Sequence, residues 1–214
     1  MSRDELKKAV KARLDEISPF DEPDEFIEGV DDEDFKRVKP IDSYIETELD
    51  NAARFCLNTL PLTLLADDTD TETMRISVDD KGVGVIKDMY DYLRLVRLSC
   101  SVFERDITQF ISSSSEIYIL QQNKHTRGGV VKPVAAFCPE NACIEVYSFP
   151  TGVKSSTCKL SYIDTRLRAE RVQSHVEKYI VLRCAMVVAR ILDDKTASQI
   201  LEKEWAEELS NILK

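Results

Sequence analysis

The sequence is poor in the residues that most often carry out catalysis. Its 214 residues include only two histidines, His125 and His175, and one tryptophan. The chain neighbours of His125 are Lys124, Thr126 and Arg127, so no adjacent carboxylate is available to orient its ring as a general base. The sequence also lacks the G-x-S-x-G and H-E-x-x-H patterns of hydrolases and a D-x-D set with metal-ligand spacing. We therefore expect that the protein is not an enzyme and has no catalytic residues.

The sequence is also poor in glycine, and its six glycines form no phosphate-binding pattern. A P-loop needs Lys-Ser or Lys-Thr after its glycines, so that the lysine and the backbone N–H groups meet the phosphates. In the segment "TRGGVVKP", Gly128 and Gly129 are followed by Lys132 and Pro133 instead. We expect no nucleotide and no other cofactor, and we interpret the two glycines as a turn that leads into a strand.

No apolar run in the sequence is long enough to cross a bilayer, which requires about 20 apolar residues in a helix. The longest candidate, residues 181–192, is interrupted by Arg183 and Arg190. The first ten residues, "MSRDELKKAV", are charged and lack the apolar centre of a secretory signal. We therefore expect a protein that has no membrane partner and stays in a cytoplasmic compartment.

Cysteine is not scarce, and its pattern bears on both redox state and metal binding. The six cysteines are Cys56, Cys100, Cys138, Cys143, Cys158 and Cys184. Because no secretory signal is present, we expect these thiols to be reduced. Cys138 and Cys143 have a C-x4-C spacing without a second pair or a well-placed histidine, so we expect no metal. Cys56 and Cys184 lie in helix-like apolar patterns and are predicted to be core thiols.

Charge is unevenly distributed along the chain. The formal net charge is -10, of which residues 1–35 contribute -8 from 13 acidic and 5 basic side chains. Residues 121–190 carry 11 basic and 5 acidic side chains, a net charge of +6. These two segments could attract each other, within one chain or between neighbouring copies. The alternative interpretation is that both segments are solvated surface.

Apolar periodicity predicts an α+β fold, with a helical bundle core and a β-rich middle insertion. The predicted long helices are residues 3–17, 42–59, 174–192 and 197–213, and a shorter helix covers residues 114–123. Helix 174–192 is apolar almost all round, which is typical of a central core helix. Only a short polar turn separates it from helix 197–213, so the two form a C-terminal αα-hairpin. The β-rich insertion covers residues 72–165 and contains a hairpin turn at "DDKG", residues 79–82.

Two domains are expected. Residues 1–35 are predicted to be an acidic N-terminal helix and an extended arm, which Pro19 and Pro23 separate from the rest of the chain. Residues 36–214 are predicted to be the main domain.

Five predicted helix starts carry the Ser/Thr-x-x-Glu/Gln pattern of a capping box, in which the two side chains satisfy free backbone N–H groups. The five pairs are Ser2–Glu5, Ser43–Glu46, Ser113–Glu116, Ser174–Glu177 and Thr196–Gln199. Each pair precedes a suitable apolar pattern, so each is predicted to begin a helix.

The C-terminal segment "KYIVLRCAMVVARILDDKTASQILEKEWAEELS" has a recognisable pattern. An alanine-containing helix with Ala185 and Ala189 leads through a polar turn into a helix with Leu201, Trp205 and Leu209. This pattern resembles the C-terminal helical hairpin of bacteriophage head-to-tail connector proteins of the adaptor or tail-tubular class.

Two further motifs carry a similar resemblance. The segment "DYLRL" matches a D-x-L-R-L strand, and "QNKHTRG" matches a Q-N-x-x-T-R-G loop that is followed by K-P-V. The matching positions are Asp91, Leu93, Arg94, Leu95, Gln122, Asn123, Thr126, Arg127, Gly128, Lys132, Pro133 and Val134. These segments look like the corresponding parts of connector ring proteins from crAss-like gut phages.

The resemblance implies a structural virion protein at the head–tail junction, assembled in the cytoplasm of a bacterial host. Such proteins form a ring, usually dodecameric, that joins the portal to the tail and extends the DNA channel. The implied partners are copies of the same chain, the portal protein, neighbouring connector or tail proteins, and the genomic DNA that passes through. The candidate interface and channel residues are Lys124, Arg127, Lys132, Arg166, Arg168, Arg171 and Trp205.

Two other functions stay open on the sequence alone. An intracellular nucleic-acid-binding or regulatory interaction module could use the basic segment 121–190 to contact a phosphate backbone. Interleaved exposed aromatic residues are scarce there, and no known reader motif is present. The third alternative is an enzyme that uses His125 with a partner distant in sequence, or a cysteine such as Cys138.

Overall fold

A computed structural model describes residues 1–17, 41–65, 68–166 and 168–212. The chain divides into two compact units. The helical unit combines Met1–Asp67 with Leu167–Lys214, and the β unit consists of Asp68–Arg166. Helices at both ends and strands in the middle confirm the predicted α+β class and the predicted β-rich insertion.

The predicted long helices are confirmed to within two residues. The helices are α1 (Arg3–Ile17), α2 (Ile41–Thr59), α3 (Glu116–Gln122), α4 (Ser174–Ile191) and α5 (Lys195–Ile212). Helix α4 is the centre of the helical unit and contacts α1, α2 and α5. Its apolar residues are buried on nearly every side, which matches the all-round apolar pattern of the sequence. A short turn that contains Asp193, with φ of 57°, closes the predicted αα-hairpin.

The N-terminal helix is part of the helical unit, and the prediction that it stands apart from the rest is wrong. Leu6, Val10 and Leu14 form one stripe on α1 and have no exposed surface, because α4 and α2 cover them. Arg3 adds contacts to the Glu46 carboxylate at 2.6 Å and the Asp50 carboxylate at 3.1 Å. The acidic arm and the predicted boundary at residue 35 fall within residues 18–40, outside the described part of the chain.

Of the five predicted capping boxes, only Ser2–Glu5 forms. The Ser2 backbone N–H donates to the Glu5 carboxylate at 2.7 Å, and the Glu5 N–H donates to the Ser2 hydroxyl at 3.3 Å. The other four pairs begin within three residues of a helix start, as predicted, but their side chains do not form the capping box. Glu46 pairs with Arg3 and Lys7, for example. Helix α5 is capped instead by Asp194, which accepts from the Ala197 N–H at 2.9 Å.

The β unit contains two sheets. Its strands are β1 (Asp70–Ser77), β2 (Gly84–Ile86), β3 (Tyr92–Cys100), β4 (Phe110–Ser112), β5 (Ala135–Cys138), β6 (Cys143–Val146) and β7 (Ser155–Asp164). One sheet has the order β1-β7-β3 and is antiparallel, and the other has the order β2-β6-β5-β4 with a parallel β4–β5 pair. Buried residues of both sheets share one core, to which Leu98 and Leu160 contribute from the first and Ile144 and Val146 from the second.

The predicted turn at residues 79–82 forms, but the predicted hairpin does not. The Asp79 carboxylate accepts from the Lys81 and Val83 backbone N–H groups at 2.9 and 2.8 Å, and Gly82 adopts φ of 74°. Strands β1 and β2 then enter different sheets, and an isolated bridge joins Val78, which follows β1, to Gly84 at the start of β2. The turn therefore links the two sheets of the β unit.

The expectation that all six thiols are reduced is wrong for one pair. Cys100 in β3 lies directly opposite Cys158 in β7, with Cα atoms 4.2 Å apart, and the two form a disulfide. Cys56, Cys138, Cys143 and Cys184 are free and buried, as predicted for Cys56 and Cys184.

Within the described residues, no helix has the combination of length and apolar character that a membrane span requires.

Candidate functional site

The basic loop that follows α3 begins with a tightly hydrogen-bonded turn. The Asn123 carbonyl accepts from the backbone N–H groups of Thr126 and Arg127 at 3.1 and 3.0 Å. The Asn123 side-chain oxygen accepts from the His125 N–H at 3.0 Å, and the Thr126 hydroxyl donates to the Leu120 carbonyl at 2.6 Å. The Q-N-x-x-T-R-G motif is thus a set of turn-forming residues.

Arg127 extends from this turn to a second loop. Its Nη1 donates to the Lys81 carbonyl at 2.6 Å, and its guanidinium carbon lies 5.9 Å from the centre of the Tyr147 ring. Its Nε is buried without a hydrogen-bond partner. Because an arginine contact to a carbonyl leaves the positive charge uncompensated, Arg127 contributes net charge to this region.

Gly128 is required by a close backbone approach rather than by its φ angle. A Cβ atom at this position would lie 2.4 Å from the Lys132 carbonyl oxygen. The Gly128 N–H donates to the Gln121 side-chain oxygen at 3.1 Å, and its carbonyl accepts from the Ser148 hydroxyl. A Cβ atom at Gly129 would meet nothing within 4 Å. The interpretation of a glycine-dependent turn is therefore confirmed at Gly128 alone.

The turn forms one wall of a cleft of about 1170 Å³, bounded also by residues 78–82 and 148–154. Its ionisable lining residues are Asp79, Asp80, Lys81, Lys124, His125, Arg127 and Lys154. One oxygen of the Asp79 carboxylate is occupied by two backbone N–H groups. Cations therefore outnumber the free carboxylates, and the cleft suits an anionic group. No group of three or more His, Cys, Asp or Glu side chains suited to a metal occurs in the described ranges.

Helix α3 has an inverted pattern of burial. Its apolar residues face solvent, with 54% exposure for Ile117, 69% for Ile119 and 51% for Leu120. Gln121, a polar residue, is 5% exposed and faces inward. We call Ile117, Ile119 and Leu120 the α3 patch. Val131, in the loop that follows, is also half exposed.

Polar side chains attach the inner face of α3 to the β unit. The Tyr118 hydroxyl donates to the Glu145 carboxylate at 2.9 Å, and the Tyr147 hydroxyl also donates to this carboxylate. The Gln122 side-chain N–H donates to the Tyr147 hydroxyl at 2.9 Å. Burial, together with the hydrogen bond to Glu145, raises the pKa of Tyr118 to about 12. The tyrosines therefore remain protonated donors throughout the physiological pH range.

Four of the seven sequence-predicted interface residues belong to the β unit. Lys124 and Arg127 line the cleft. Lys132 follows the same loop and is exposed, but it is not among the residues that line the cleft. Arg166 donates to both carboxylate oxygens of Asp164 and lies 3.9 Å from the Asp91 carboxylate, so neighbouring acids compensate its charge.

The other three belong to the helical unit. Arg168 and Arg171 are exposed beside a short 3-10 turn that precedes α4. Trp205 is half-buried between Phe55 and Tyr179, with ring centres 6.0 and 6.3 Å away. Its contacts are those of a residue that packs α5 onto α2 and α4.

Sequence reasoning missed the α3 patch and the Tyr118–Glu145–Tyr147 network. A signal for the patch was present, because "EIYILQQ" places apolar residues at positions that one helix face cannot bury together. The network carried no such signal, since Tyr118 and Glu145 are 27 residues apart and meet only through the fold.

Comparison with known proteins found no matching family model and no matching curated protein.

Proposed function

We propose that this chain is a structural protein that assembles into a ring at the head–tail junction of a bacteriophage. In this role it joins the portal to the tail, extends the DNA channel and performs no catalysis. The observation that carries the proposal is the α3 patch, because three large apolar side chains stand in water on a helix that buries Gln121 instead. The resemblance of its sequence motifs to those of connector ring proteins indicates which type of assembly we propose.

An exposed apolar patch is typical of a surface that another protein covers. Covering it removes apolar area from water, which is worth about 25 cal/mol for each Å². In a closed ring each copy presents one patch to a different patch on its neighbour. The α3 patch therefore serves as one half of such a head-to-tail contact.

The roles of the motif residues also favour a structural protein. Asn123, Thr126 and Gly128 are used to build a turn, and Arg127 joins that turn to a second loop. A motif whose side chains are consumed by internal hydrogen bonds does not provide a nucleophile or a general base. The pattern shared with connector ring proteins thus has a purpose in shaping the loop next to the α3 patch.

The experiment is electron microscopy and light scattering of the purified chain, alone and mixed with the portal protein encoded with it. A triple variant, Ile117→Ser, Ile119→Ser and Leu120→Ser, removes the α3 patch. The matched control is Ile191→Ser with Ile200→Ser, since these side chains are also apolar and are 45% and 46% exposed on the helical hairpin.

We expect the wild-type chain and the control to form rings, or to add a disc to the portal. The triple variant should stay monomeric while keeping the same circular dichroism spectrum. Monomers of wild-type protein at high concentration, even with portal present, would refute the ring proposal. Rings formed by the triple variant would refute the role of the α3 patch.

The second candidate function is nucleic-acid binding through the basic cleft. Lys81, Lys124 and Lys154 line it, and none of them makes an ion pair within the described residues. Fluorescence anisotropy with a short DNA duplex at several salt concentrations tests this candidate. Binding that weakens steeply with salt, and that Lys124→Glu reduces, would favour it over the ring proposal.

A further inference from the structure

Cys138 and Cys143 form a close pair outside the sites described above. Cys138 ends β5, Cys143 begins β6, and the strand register places the two residues directly opposite each other. The connection between them is a 3-10 turn, Pro139–Asn141, followed by Ala142 with φ of 43°. Both cysteines are free, with exposures of 4% and 6%.

Backbone hydrogen bonds close the turn between the two cysteines. The turn is held by an Ala142 N–H bond to the Pro139 carbonyl at 3.1 Å and a Met89 N–H bond to the Ala142 carbonyl at 2.9 Å. The hydrogen-bonded turn therefore keeps two directly opposed residues, whose side chains lie on the same face of the sheet, side by side.

The same chain contains a precedent for this arrangement. Cys100 and Cys158 are likewise directly opposed on neighbouring antiparallel strands, and they are joined as a disulfide. Opposed residues on antiparallel strands have Cα separations of about 4.5–5.5 Å, which lies within the range that a disulfide spans. The β5–β6 pair meets the same condition in its reduced form.

We propose that Cys138 and Cys143 are a dithiol site, which small-molecule disulfides oxidise to a second cross-strand disulfide and which trivalent arsenicals bind when it is reduced. This inference does not depend on the proposed ring function. It assigns chemistry to two residues that the assembly proposal leaves unused.

The oxidation proceeds through a mixed disulfide and balances without further reagents. The thiolate of Cys143, the more exposed of the two, attacks one sulfur of the small disulfide and releases one small thiolate. The thiolate of Cys138 then attacks the sulfur of Cys143, which forms the internal disulfide and releases the second small thiolate. The two cysteines lose two electrons and two protons, and the small disulfide is reduced to two thiols.

Burial limits the rate of this reaction. It raises the pKa of Cys138 to about 11 and also raises the pKa of Cys143, so the thiolate fraction of each is small. We therefore expect slower oxidation than for an exposed cysteine pair, but an oxidised product that persists once it has formed.

The test uses the full-length protein with its existing disulfide intact. The protein is incubated with glutathione disulfide, denatured, and its remaining thiols are counted with a maleimide by mass spectrometry. Four thiols are expected before treatment and two after it, with a proteolytic peptide pair that joins residue 138 to residue 143. The intact mass should fall by two hydrogens, without a glutathione adduct.

Two variants make the result specific. In Cys138→Ser the resolving thiol is absent, so a glutathione adduct should remain on Cys143. In Cys143→Ser no internal disulfide can form, and this variant serves if the first does not fold. Phenylarsine oxide should protect two thiols from the maleimide in the wild-type protein and none in either variant.

The proposal is overturned if four thiols survive oxidation of the folded protein. It is also overturned if the crosslink joins Cys56 to Cys184 or two separate chains, or if the arsenical protects no thiols.

Discussion

The Tyr118 hydroxyl donates a hydrogen bond to the Glu145 carboxylate at 2.9 Å, and this bond holds the inner face of α3. The contact explains how a seven-residue helix can keep its apolar residues in water. An isolated helix of this length is unstable, so its order must come from tertiary contacts. Tyr118 and Gln122 supply those contacts, because both reach the Glu145–Tyr147 pair.

Replacing Tyr118 by Phe should therefore destabilise the β unit. The change removes a hydrogen bond to a charged acceptor, which is worth about 1.5–3 kcal/mol. Urea unfolding followed by circular dichroism measures the loss. Tyr90→Phe is the matched control, because Tyr90 is 74% exposed, and it should change the free energy of unfolding by less than about 0.5 kcal/mol. Equal effects of the two changes would contradict the role assigned to Tyr118.

Truncating Leu14 to Ala should destabilise the helical unit strongly. Leu14 is fully buried on α1, and large-to-small changes of this kind cost about 2–5 kcal/mol. Chemical denaturation of the full chain measures the effect, and Leu120→Ala on the α3 patch is the exposed control of the same chemistry. A cost below about 0.5 kcal/mol for Leu14→Ala would mean that α1 does not pack as described.

The helices were predictable from the sequence because their signal is local. Leu6, Val10 and Leu14 recur at the helical period, and the same holds along α2, α4 and α5. The helical period identifies the buried stripe but does not indicate which other element packs against it. The first helix was therefore predicted correctly as a helix and incorrectly as a separate element.

The strand partners were not predictable, because they depend on pairings distant in sequence. Strand β7 lies between β1 and β3, so residues near 160 pair with residues near 72 and near 98. The turn at 79–82 has the local signal of a hairpin, yet β1 and β2 find better partners in separate sheets. The Cys100–Cys158 disulfide was missed for the same reason.

The basic loop was identified from the sequence, but its geometry was not. Lys124 and Arg127 are candidate interface residues because of their charge, and both line one cleft. The contact of Arg127 with the Lys81 carbonyl spans 46 residues and has no local signal. The sequence does not indicate that Arg166 is in an ion pair. Its positive charge is compensated by Asp164 because the turn between them brings the two side chains together.

Replacing Gly128 by alanine and replacing Gly129 by alanine should have opposite effects on the stability of the protein. Gly128→Ala places a methyl group against the Lys132 carbonyl, and we expect a cost of about 1–3 kcal/mol from the forced shift of the backbone. Gly129→Ala meets open space and reduces the freedom of the unfolded chain, so a neutral or slightly stabilising change is expected. Thermal unfolding of the two variants side by side tests this. The reverse order would show that the loop has a different backbone path.

The ion pairs of α1 with α2 should make the helical unit sensitive to acid. Hydrogen bonds from Lys7 and then Arg3 lower the pKa of Glu46 below its usual value. A carboxylate with a lowered folded-state pKa stabilises the protein above its unfolded pKa of about 4.3, and this contribution is lost as the pH falls through the folded value. We expect the free energy of unfolding to decrease below pH 5, and Glu46→Gln to weaken this decrease.

Urea unfolding at several pH values between 3 and 7 gives the required curves. Glu140→Gln is the control, because Glu140 is exposed and makes no ion pair in the described part of the chain. If Glu46→Gln and Glu140→Gln alter the pH dependence of the free energy of unfolding equally, the Glu46 ion pairs are not the cause of the acid sensitivity.

Reduction of the Cys100–Cys158 disulfide should lower the stability of the β unit. The two cysteines are 58 residues apart, and closing a loop of that length removes unfolded-state entropy worth about 4 kcal/mol at 25 °C. Unfolding curves with and without a reducing agent measure the difference. The double variant Cys100→Ala with Cys158→Ala should have the same free energy of unfolding as the protein with the disulfide reduced, and the reducing agent should not change it further. Because Cys138 and Cys143 close a loop of only a few residues, their oxidation should add much less stability than the long-range disulfide does. An equal gain from both disulfides would contradict this account of how the β unit is stabilised.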